Sequence, residues 1–385
     1  MTMTDISPIT RARWLAVLSV AIGTFTIVTS EMLPVGLLTS IAATLGVSDG
    51  TAGLMMSAPG LVAAVSAPVL AISTRRLDRR VTLLGLMALL AVANLAGAFA
   101  PNYPVILGAR VLTGVSIGGF WAFAAGLGVR LVPERSVGRA TSIILAGVSV
   151  AAVLGVPAAT FISSFAGWRA AFMAMGVLAL ALLALLATTL PPLPGDAPAP
   201  MPDRAAFGGR LKLVLVLTVL IVSGHFAAYT YVRPFLEQVS HAGPALVSTA
   251  LLLYGGAAVA GNFAAAAWAA RNPKPVLVTL AALMALATAA LPVLGLPLFV
   301  LVVWGLGYGG VGVTLQLWIM RSGGGEMGTA LFVGAFNVSV ALGSFAGGRV
   351  VDGVSISAVM WMGAALAVVS AAVAGIWGRS RTTGS

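Results

Sequence analysis

Long apolar runs recur along the whole of this 385-residue chain, and they constrain its fold more than any other feature. A helix needs about 20 apolar residues to cross the ~30 Å hydrocarbon core of a bilayer. The runs are continuous rather than alternating, which predicts helices and not the strands of a membrane barrel. Twelve candidate spans are predicted, at about residues 14–38, 49–73, 81–100, 104–130, 139–162, 169–190, 211–234, 245–270, 275–295, 297–320, 327–348 and 355–377.

The composition supports a multi-pass membrane protein. Hydrophobic residues make up 59% of the chain and charged residues 8%, whereas a soluble domain carries about 25% charged residues. The first apolar run is too long for the core of a signal peptide, so we expect it to be retained as a span. The net charge of +11 is explained better by cytoplasmic loops than by nucleic acid, and no nucleic-acid partner is expected.

The basic residues predict the orientation. If both termini are cytoplasmic, 17 of the 21 lysines and arginines fall in inner segments. Such an excess of positive charge is typical of cytoplasmic loops. We therefore expect a bacterial-type inner membrane protein with both ends in the cytoplasm. The exceptions are Arg110, Arg169, Arg233 and Arg349.

A linker rich in proline, alanine and glycine, residues 191–210, divides the spans six and six. It predicts an N-terminal six-helix domain at 1–190 and a C-terminal six-helix domain at 211–385. Two similar halves around a central site are a transporter architecture. A substrate cavity is then expected near the membrane midplane, with one half rocking against the other.

Glu31 and Arg110 are the charges of the N-terminal half that fall well inside a span, and both are expected in the outer half of the membrane. Pro34 and Gly36 predict an irregular helix beside Glu31. An apolar medium forces such charges to pair, or the carboxylate to take up a proton. Glu31 is therefore a candidate proton carrier, and Arg110 a candidate for tuning it or for binding an anionic group of the substrate. The alternative is a static ion pair that orients two helices.

Several motifs resemble the major facilitator superfamily, and within it the proton-coupled branch that exports drugs, sugars or nucleosides. They are SEMLPVGLL from Ser30, APVLAISTRRLDRR from Ala67, ARVLTGVSIGGFWA from Ala109, AGVSVAAVLGVP from Ala146, GHFAAYTYVRPF from Gly224, WGLGYGGVGVTLQLW from Trp304 and FNVSVALGSFAGGRVVD from Phe336. The loop after span two has Ala67 where the superfamily pattern has a glycine. The Gly-Pro pair of the antiporter motif is replaced here by Gly155-Val-Pro157. The resemblance implies an all-α membrane protein with twelve transmembrane helices in two pseudo-symmetric six-helix bundles.

The same resemblance suggests residues that control conformational change. The loop after span two is similar to the signature loop that brakes the rocking motion, although plain topogenic charge is the alternative. Gly155 and Pro157 lie in the antiporter-like segment. The candidate gating residues are Arg75, Arg76, Asp78, Arg79, Arg80, Gly155 and Pro157.

His225 is the mid-span ionisable group of the second half, and histidine titrates near physiological pH. It is a candidate for proton relay, for substrate contact, or for a structural hydrogen bond. Tyr229 shares its helix face, whereas Tyr231 is expected in the interfacial aromatic belt. The family resemblance implies that Asn337 faces the cavity. The aromatic residues of spans four and ten are candidates for stacking on a ring of the substrate, and the alternative is that they only pack against other helices or lipid. The candidate substrate-binding residues are Arg110, Phe120, Trp121, His225, Tyr229, Trp304, Tyr308 and Asn337.

Absences narrow the function. A P-loop needs Gly-Lys-Ser/Thr, but Lys212 and Lys274, the two lysines, follow Leu211 and Pro273. Two distant histidines and no cysteine disfavour a metal, so no cofactor and no enzyme activity are expected. We predict a monomeric, proton-driven exporter of a small organic molecule (a drug, sugar or nucleoside). A facilitator or a proton symporter that imports a solute is one alternative. A membrane enzyme or a non-transporting sensor is the other, and the lack of a clustered catalytic constellation or of a soluble domain argues against both of these.

Overall fold

A computed structural model describes residues 8–195, 208–322 and 325–377. Within these ranges the chain is helical and contains no strand. Much of the predicted linker lies outside the described residues. The helices are α1 (Pro8–Met32), α2 (Leu38–Leu45), α3 (Asp49–Ala52), α4 (Leu54–Ser73), α5 (Arg79–Ala98), α6 (Tyr103–Leu131), α7 (Val137–Val150), α8 (Val156–Ala166), α9 (Trp168–Thr189), α10 (Gly209–Tyr229), α11 (Val232–Gln238), α12 (Pro244–Ala269), α13 (Pro273–Leu294), α14 (Pro297–Gly309), α15 (Val311–Arg321), α16 (Gly325–Gly353) and α17 (Ile356–Trp377).

The predicted number of membrane spans is confirmed. The described residues contain 12 helical segments that are long and apolar enough to cross a bilayer, from Arg13–Gly36 to Ile356–Trp377. Most begin and end within a few residues of the predicted bounds. The fifth is longer than predicted, Glu134–Ala166, because the 3-10 turn Glu134–Ser136 precedes α7 and α8 continues to Ala166. The chain is a multi-pass membrane protein.

Helix ends follow from local chemistry. Asp78 and Asn102 accept backbone N–H bonds at the starts of α5 and α6, as N-cap residues do. The predicted break between spans nine and ten is confirmed. Gly295 ends α13 with a φ of 60°, a conformation open to glycine, and Pro297 starts α14 where its missing N–H costs nothing.

The helices pack into two compact units, of which the first comprises the described residues of Met1–Leu33 and Leu61–Pro200. In this unit α5 packs on α9, and α1 packs on α7 and α9. Its apolar core is one cluster of buried side chains, drawn from helices between Ala16 and Leu193 in the sequence, and it includes Phe120. Close approach depends on small residues, because a Cβ on Gly97 would lie 2.9 Å from the ring of Phe172.

The second unit comprises the described residues of Pro34–Gly60 and Met201–Ser385. In this unit α10 packs against α16 and α17, and α12 packs against α14. A Cβ on Gly343 would lie 2.3 Å from the carbonyl oxygen of Ser223, so glycine lets these helices touch. The division at residues 191–210 that the linker suggested stays a prediction.

Tyr231 is a core residue of the second unit. It is 0% exposed, and its hydroxyl donates a 2.8 Å hydrogen bond to the carbonyl oxygen of Ser344. The interpretation of Tyr231 as an aromatic-belt residue is therefore wrong.

The helix α3 of the same unit is held by Asp352, which accepts hydrogen bonds from the Ser48 hydroxyl (2.7 Å) and the Gly50 N–H (3.0 Å).

Candidate functional site

Glu31 lies at the carboxyl end of α1, where the helix becomes irregular. α1 ends at Met32 and continues as a 3-10 turn, Leu33–Gly36, that contains Pro34. Proline has no N–H, so it cannot bond the carbonyl four residues earlier, which belongs to Ser30. The irregular backbone predicted beside Glu31 is confirmed. It leaves helix-end carbonyls without intrahelical partners inside a candidate membrane span.

Arg110 from α6 supplies the missing donors. Its Nη1 donates to the carbonyl oxygen of Ser30 and its Nη2 to that of Glu31, each over 2.7 Å. The side chain is 1% exposed, and a cation at the carboxyl end of a helix is also favoured by the helix dipole. The guanidinium lies close enough to the Glu31 carboxyl to interact with it electrostatically. The structure thus brings the two residues together and adds a backbone contact that the sequence did not reveal.

Asn94 from α5 joins the same site. Its Nδ2 donates to the Ser30 hydroxyl (3.1 Å) and to the Leu90 carbonyl (3.0 Å), while its buried Oδ1 has no partner. Ser30 is therefore held twice, by Asn94 through its side chain and by Arg110 through its carbonyl. Sequence reasoning did not assign Asn94 to this site. The available signal was a lone amide in the middle of an apolar run.

A π-helical turn, Ala151–Gly155, interrupts the fifth span. Pro157 explains it, because proline cannot donate to the carbonyl of Val153 and its ring crowds that carbonyl. The turn packs against α1, since a Cβ on Gly155 would lie 2.8 Å from the Thr29 hydroxyl oxygen. Thr29 Oγ1 is itself buried without a partner. Gly155 and Pro157 therefore determine how the fifth span packs against the carboxyl end of α1.

The basic loop after α4 is tied to the chain that follows α9. The Asp78 carboxylate accepts from the Arg80 N–H (2.7 Å) and from the Leu193 N–H (3.0 Å). The Arg79 N–H donates in turn to the Leu193 carbonyl (2.8 Å), and the Arg79 guanidinium lies 4.4 Å over the ring of Phe123. Arg75 and Arg76 are exposed. Asp78, Arg79 and Arg80 thus make the hydrogen bonds that hold the start of α5 and the chain at Leu193. Arg75 and Arg76 take no part in these bonds.

His225 lies in the second unit at the centre of an aromatic cluster. The shared face predicted for His225 and Tyr229 is confirmed, because their rings stack with centroids 5.0 Å apart. Tyr308 also stacks on the imidazole, with centroids 3.3 Å apart, and Trp304 meets it edge-on at 5.5 Å. Tyr254, which the sequence analysis did not select, places its hydroxyl 3.4 Å from His225 Nε2. No sequence signal near Tyr254 indicates this position.

The other candidate substrate residues make different contacts. Phe120 is in the apolar core of the first unit, 1% exposed, and its ring meets Trp121 edge-on at 6.2 Å. Trp121 is partly exposed. Asn337 Nδ2 donates to the Val333 carbonyl of its own helix over 2.9 Å. The structure therefore groups His225, Tyr229, Trp304 and Tyr308 within the second unit, whereas Phe120 is part of the core of the first unit.

Twelve apolar spans with ionisable and aromatic side chains buried among them define a helical membrane protein of the transporter class. The chain matches the Major Facilitator Superfamily over residues 20–333 and belongs to that superfamily. It is therefore a membrane transporter by family and not an enzyme.

One relative is 36% identical over 380 residues, which are 96% of this chain and 94% of the relative. It is the transcription regulatory protein OpdE of Pseudomonas aeruginosa. Solved structures with the same fold include a bacterial homologue of the human lysosomal transporter Spinster in an inward-facing, occupied conformation (TM-score 0.77, 15% identity, 97% of each chain). Another is the human organic anion transporter MFSD10 (TM-score 0.66, 16% identity, 96% of this chain and all of that one, 100%).

Proposed function

We propose that this protein exports a small organic molecule across a bacterial inner membrane, by alternating access driven by inward proton flow. The observation that carries the proposal is the position of Glu31 at the broken end of α1, where Arg110 is bound to the carbonyls of Ser30 and Glu31. Ionisable groups inside membrane spans mark ion pathways and proton relays far more often than they serve packing.

Arg110 has a partner in this site whether Glu31 is ionised or protonated. When ionised, its carboxylate is balanced by the Arg110 guanidinium. When protonated it is neutral, and Arg110 keeps two partners in the helix-end carbonyls. Arg110 therefore keeps hydrogen-bond partners in both states of Glu31, so release of the Glu31 proton does not require Arg110 to find new ones.

The substrate contacts are proposed in the aromatic cluster of the second unit. Buried aromatic rings with a few polar atoms are typical of sites for small organic molecules. Proton and substrate sites on different elements allow binding at one to oppose binding at the other. The proposed substrate residues of this cluster are His225, Tyr229, Trp304 and Tyr308. Asn337, Arg110, Phe120 and Trp121 are further proposed substrate residues, chosen from the sequence and the family resemblance.

We further propose a monomer with both termini cytoplasmic. The gating residues are the loop of Arg75, Arg76, Asp78, Arg79 and Arg80 with the π-helical turn before Pro157. The support for the loop is that Asp78 and Arg79 connect it to Leu193, at the start of the linker.

A second candidate function is suggested by the relative whose name describes transcriptional regulation. The described residues of this chain form candidate spans and their connections. An effect on transcription would then be indirect, through the intracellular concentration of a transported small molecule. Under this view the protein regulates because it transports.

Everted membrane vesicles with an acidic interior test the exporter. Caffeine, arabinose, inosine and chloramphenicol are offered outside to vesicles that carry the wild type, Glu31→Gln or Glu134→Gln. Glu134→Gln is the control, because its side chain is exposed at the start of the fifth span. An exporter accumulates at least one compound only while the gradient persists, and Glu31→Gln alone loses accumulation. Equilibration that ignores the gradient would indicate a facilitator, and accumulation with the reversed gradient would indicate a symporter. No movement of any compound would favour a non-transporting regulator.

A further inference from the structure

Two ring nitrogens in the cluster around His225 are buried without partners. His225 is 1% exposed and its Nδ1 has no hydrogen bond; Trp304 is 0% exposed and its Nε1 has none. Buried polar atoms in proteins are nearly always bonded, and exceptions mark strain, function or a missing partner. The two rings are neighbours, with centroids 5.5 Å apart and planes at 72°. Two such atoms in adjacent rings indicate a shared ligand.

Tyr254 controls which hydrogen bond His225 can offer. Its hydroxyl lies 3.4 Å from Nε2, and its ring stacks on Tyr229 with centroids 4.7 Å apart. A phenol is a better donor than an imidazole N–H, and the bare imidazole nitrogen is a better acceptor than a phenol oxygen. The bond therefore runs from the Tyr254 hydroxyl to Nε2, which places the proton of neutral imidazole on Nδ1. Nδ1 then becomes a donor, as the indole N–H of Trp304 always is.

The rings that touch His225 carry no charge. They are Phe226, Tyr229, Tyr254, Trp304 and Tyr308, with centroids between 3.3 and 6.3 Å from the imidazole. An anion placed among them would lose its water without gaining a counter-charge. Flat aromatic faces favour flat partners. The cluster therefore favours an uncharged, planar molecule over an anion or a polyol.

We propose that Nδ1 of His225 and Nε1 of Trp304 are two donors to the substrate, and that Tyr254 is a positioning residue that fixes the tautomer of His225. The substrate class is an uncharged planar heterocycle with at least two hydrogen-bond acceptors, such as ring carbonyls or imine nitrogens. This inference rests on the proposed function for the substrate, but its claim about Tyr254 and His225 stands on the geometry alone.

Nitrogen NMR of the full-length protein in detergent micelles tests the tautomer without transport. The chain has two histidines, so His241→Gln leaves His225 as the single labelled residue. We expect the Nδ1-protonated tautomer, and a mixture of tautomers in Tyr254→Phe. Tyr229→Phe is the matched control, since its ring stacks on the same imidazole while the bond to Nε2 comes from Tyr254. An Nε2-protonated imidazole, or a tautomer unchanged by Tyr254→Phe, would overturn the assignment.

Binding to the same purified protein tests the substrate class. Caffeine is neutral, planar and rich in acceptors; arabinose is not planar and benzoate is an anion. We expect caffeine to bind most tightly, and Trp304→Phe to weaken it about tenfold, the worth of one hydrogen bond. Tyr254→Phe should weaken it by a smaller factor, set by the fraction of His225 that loses the Nδ1 proton. Glu134→Gln, at an exposed side chain, should leave caffeine affinity unchanged. Neither the binding measurement nor the NMR uses a proton gradient, so failure of proton coupling is separable from failure of this site. Preference for benzoate or arabinose, or unchanged affinity in both ring variants, would contradict the proposal.

Discussion

Nη1 of Arg110 donates a 2.7 Å hydrogen bond to the carbonyl oxygen of Ser30. That carbonyl has no α-helical donor, because the residue four positions later is Pro34. The arginine of the sixth helix thus completes the hydrogen bonding of the first, at the residue next to Glu31. The carbonyl that Pro34 leaves without an α-helical donor in α1 is therefore bound by the charged side chain of Arg110 in α6.

Arg110→Met should therefore lower the melting temperature by several degrees, because two buried carbonyls lose their donor at about 1–3 kcal/mol each. Adding Pro34→Ala returns an N–H to the Ser30 carbonyl and should recover part of the loss. Thermal unfolding in detergent of both single variants and the double variant measures the coupling, expected at about 0.5–3 kcal/mol. Arg75→Met, on an exposed side chain, is the control. Strictly additive losses would show that Pro34 and Arg110 are independent.

Gly147→Ala should destabilise the first unit. A Cβ there would lie 2.3 Å from the carbonyl oxygen of Ala21, so α1 and α7 would have to separate, at a cost of about 1–3 kcal/mol. Gly138→Ala on the same helix has nothing within 4 Å and should stabilise by roughly 0.5–1 kcal/mol. The two melting temperatures should move in opposite directions. Equal shifts would mean that helix propensity, and not packing, governs both positions.

Asp78→Ala should loosen the start of the linker. The variant loses the N-cap of α5, worth about 1 kcal/mol, and the acceptor for the Leu193 N–H. Hydrogen exchange of the peptide around Leu193, followed by mass spectrometry, should become faster. Arg76→Ala removes an exposed charge from the same loop and should leave exchange unchanged. Identical protection in both variants would refute the role given to Asp78.

A cross-link between positions 48 and 352 should block transport. The Ser48 hydroxyl lies 2.7 Å from the Asp352 carboxylate, and the chain contains no cysteine that could compete. Ser48→Cys with Asp352→Cys should form a disulfide under mild oxidation. If the cycle requires this contact to open, transport stops and a reductant restores it. Full activity of the oxidised protein would show that the contact persists throughout the cycle.

Much of the fold could be predicted because bilayer thickness fixes helix length. The apolar runs determine the spans, and prolines or glycines such as Pro297 and Gly295 mark their ends. The fifth span exceeded its prediction at both ends, where a 3-10 turn precedes α7 and α8 continues to Ala166.

The candidate site was less predictable, because it depends on which faces of different helices meet. Glu31 and Arg110 stand out as charges in apolar runs, and the structure places them together. Asn94 and Tyr254 carry no such signal, since one amide or one tyrosine in a span is common. Tyr231 was assigned to the interface by its place near a span end, but its hydroxyl has a partner in the core. Tertiary contacts decide these positions.

The most direct test of the central claim is proton release by the purified protein on substrate binding. The compound that the vesicles accumulate most strongly is added to wild type, Glu31→Gln and Glu134→Gln in weakly buffered detergent solution with a pH dye. The account predicts that the wild type and Glu134→Gln release protons, and that Glu31→Gln binds the compound without releasing any. Release that persists in Glu31→Gln, or binding to the wild type without release, would contradict Glu31 as the proton carrier.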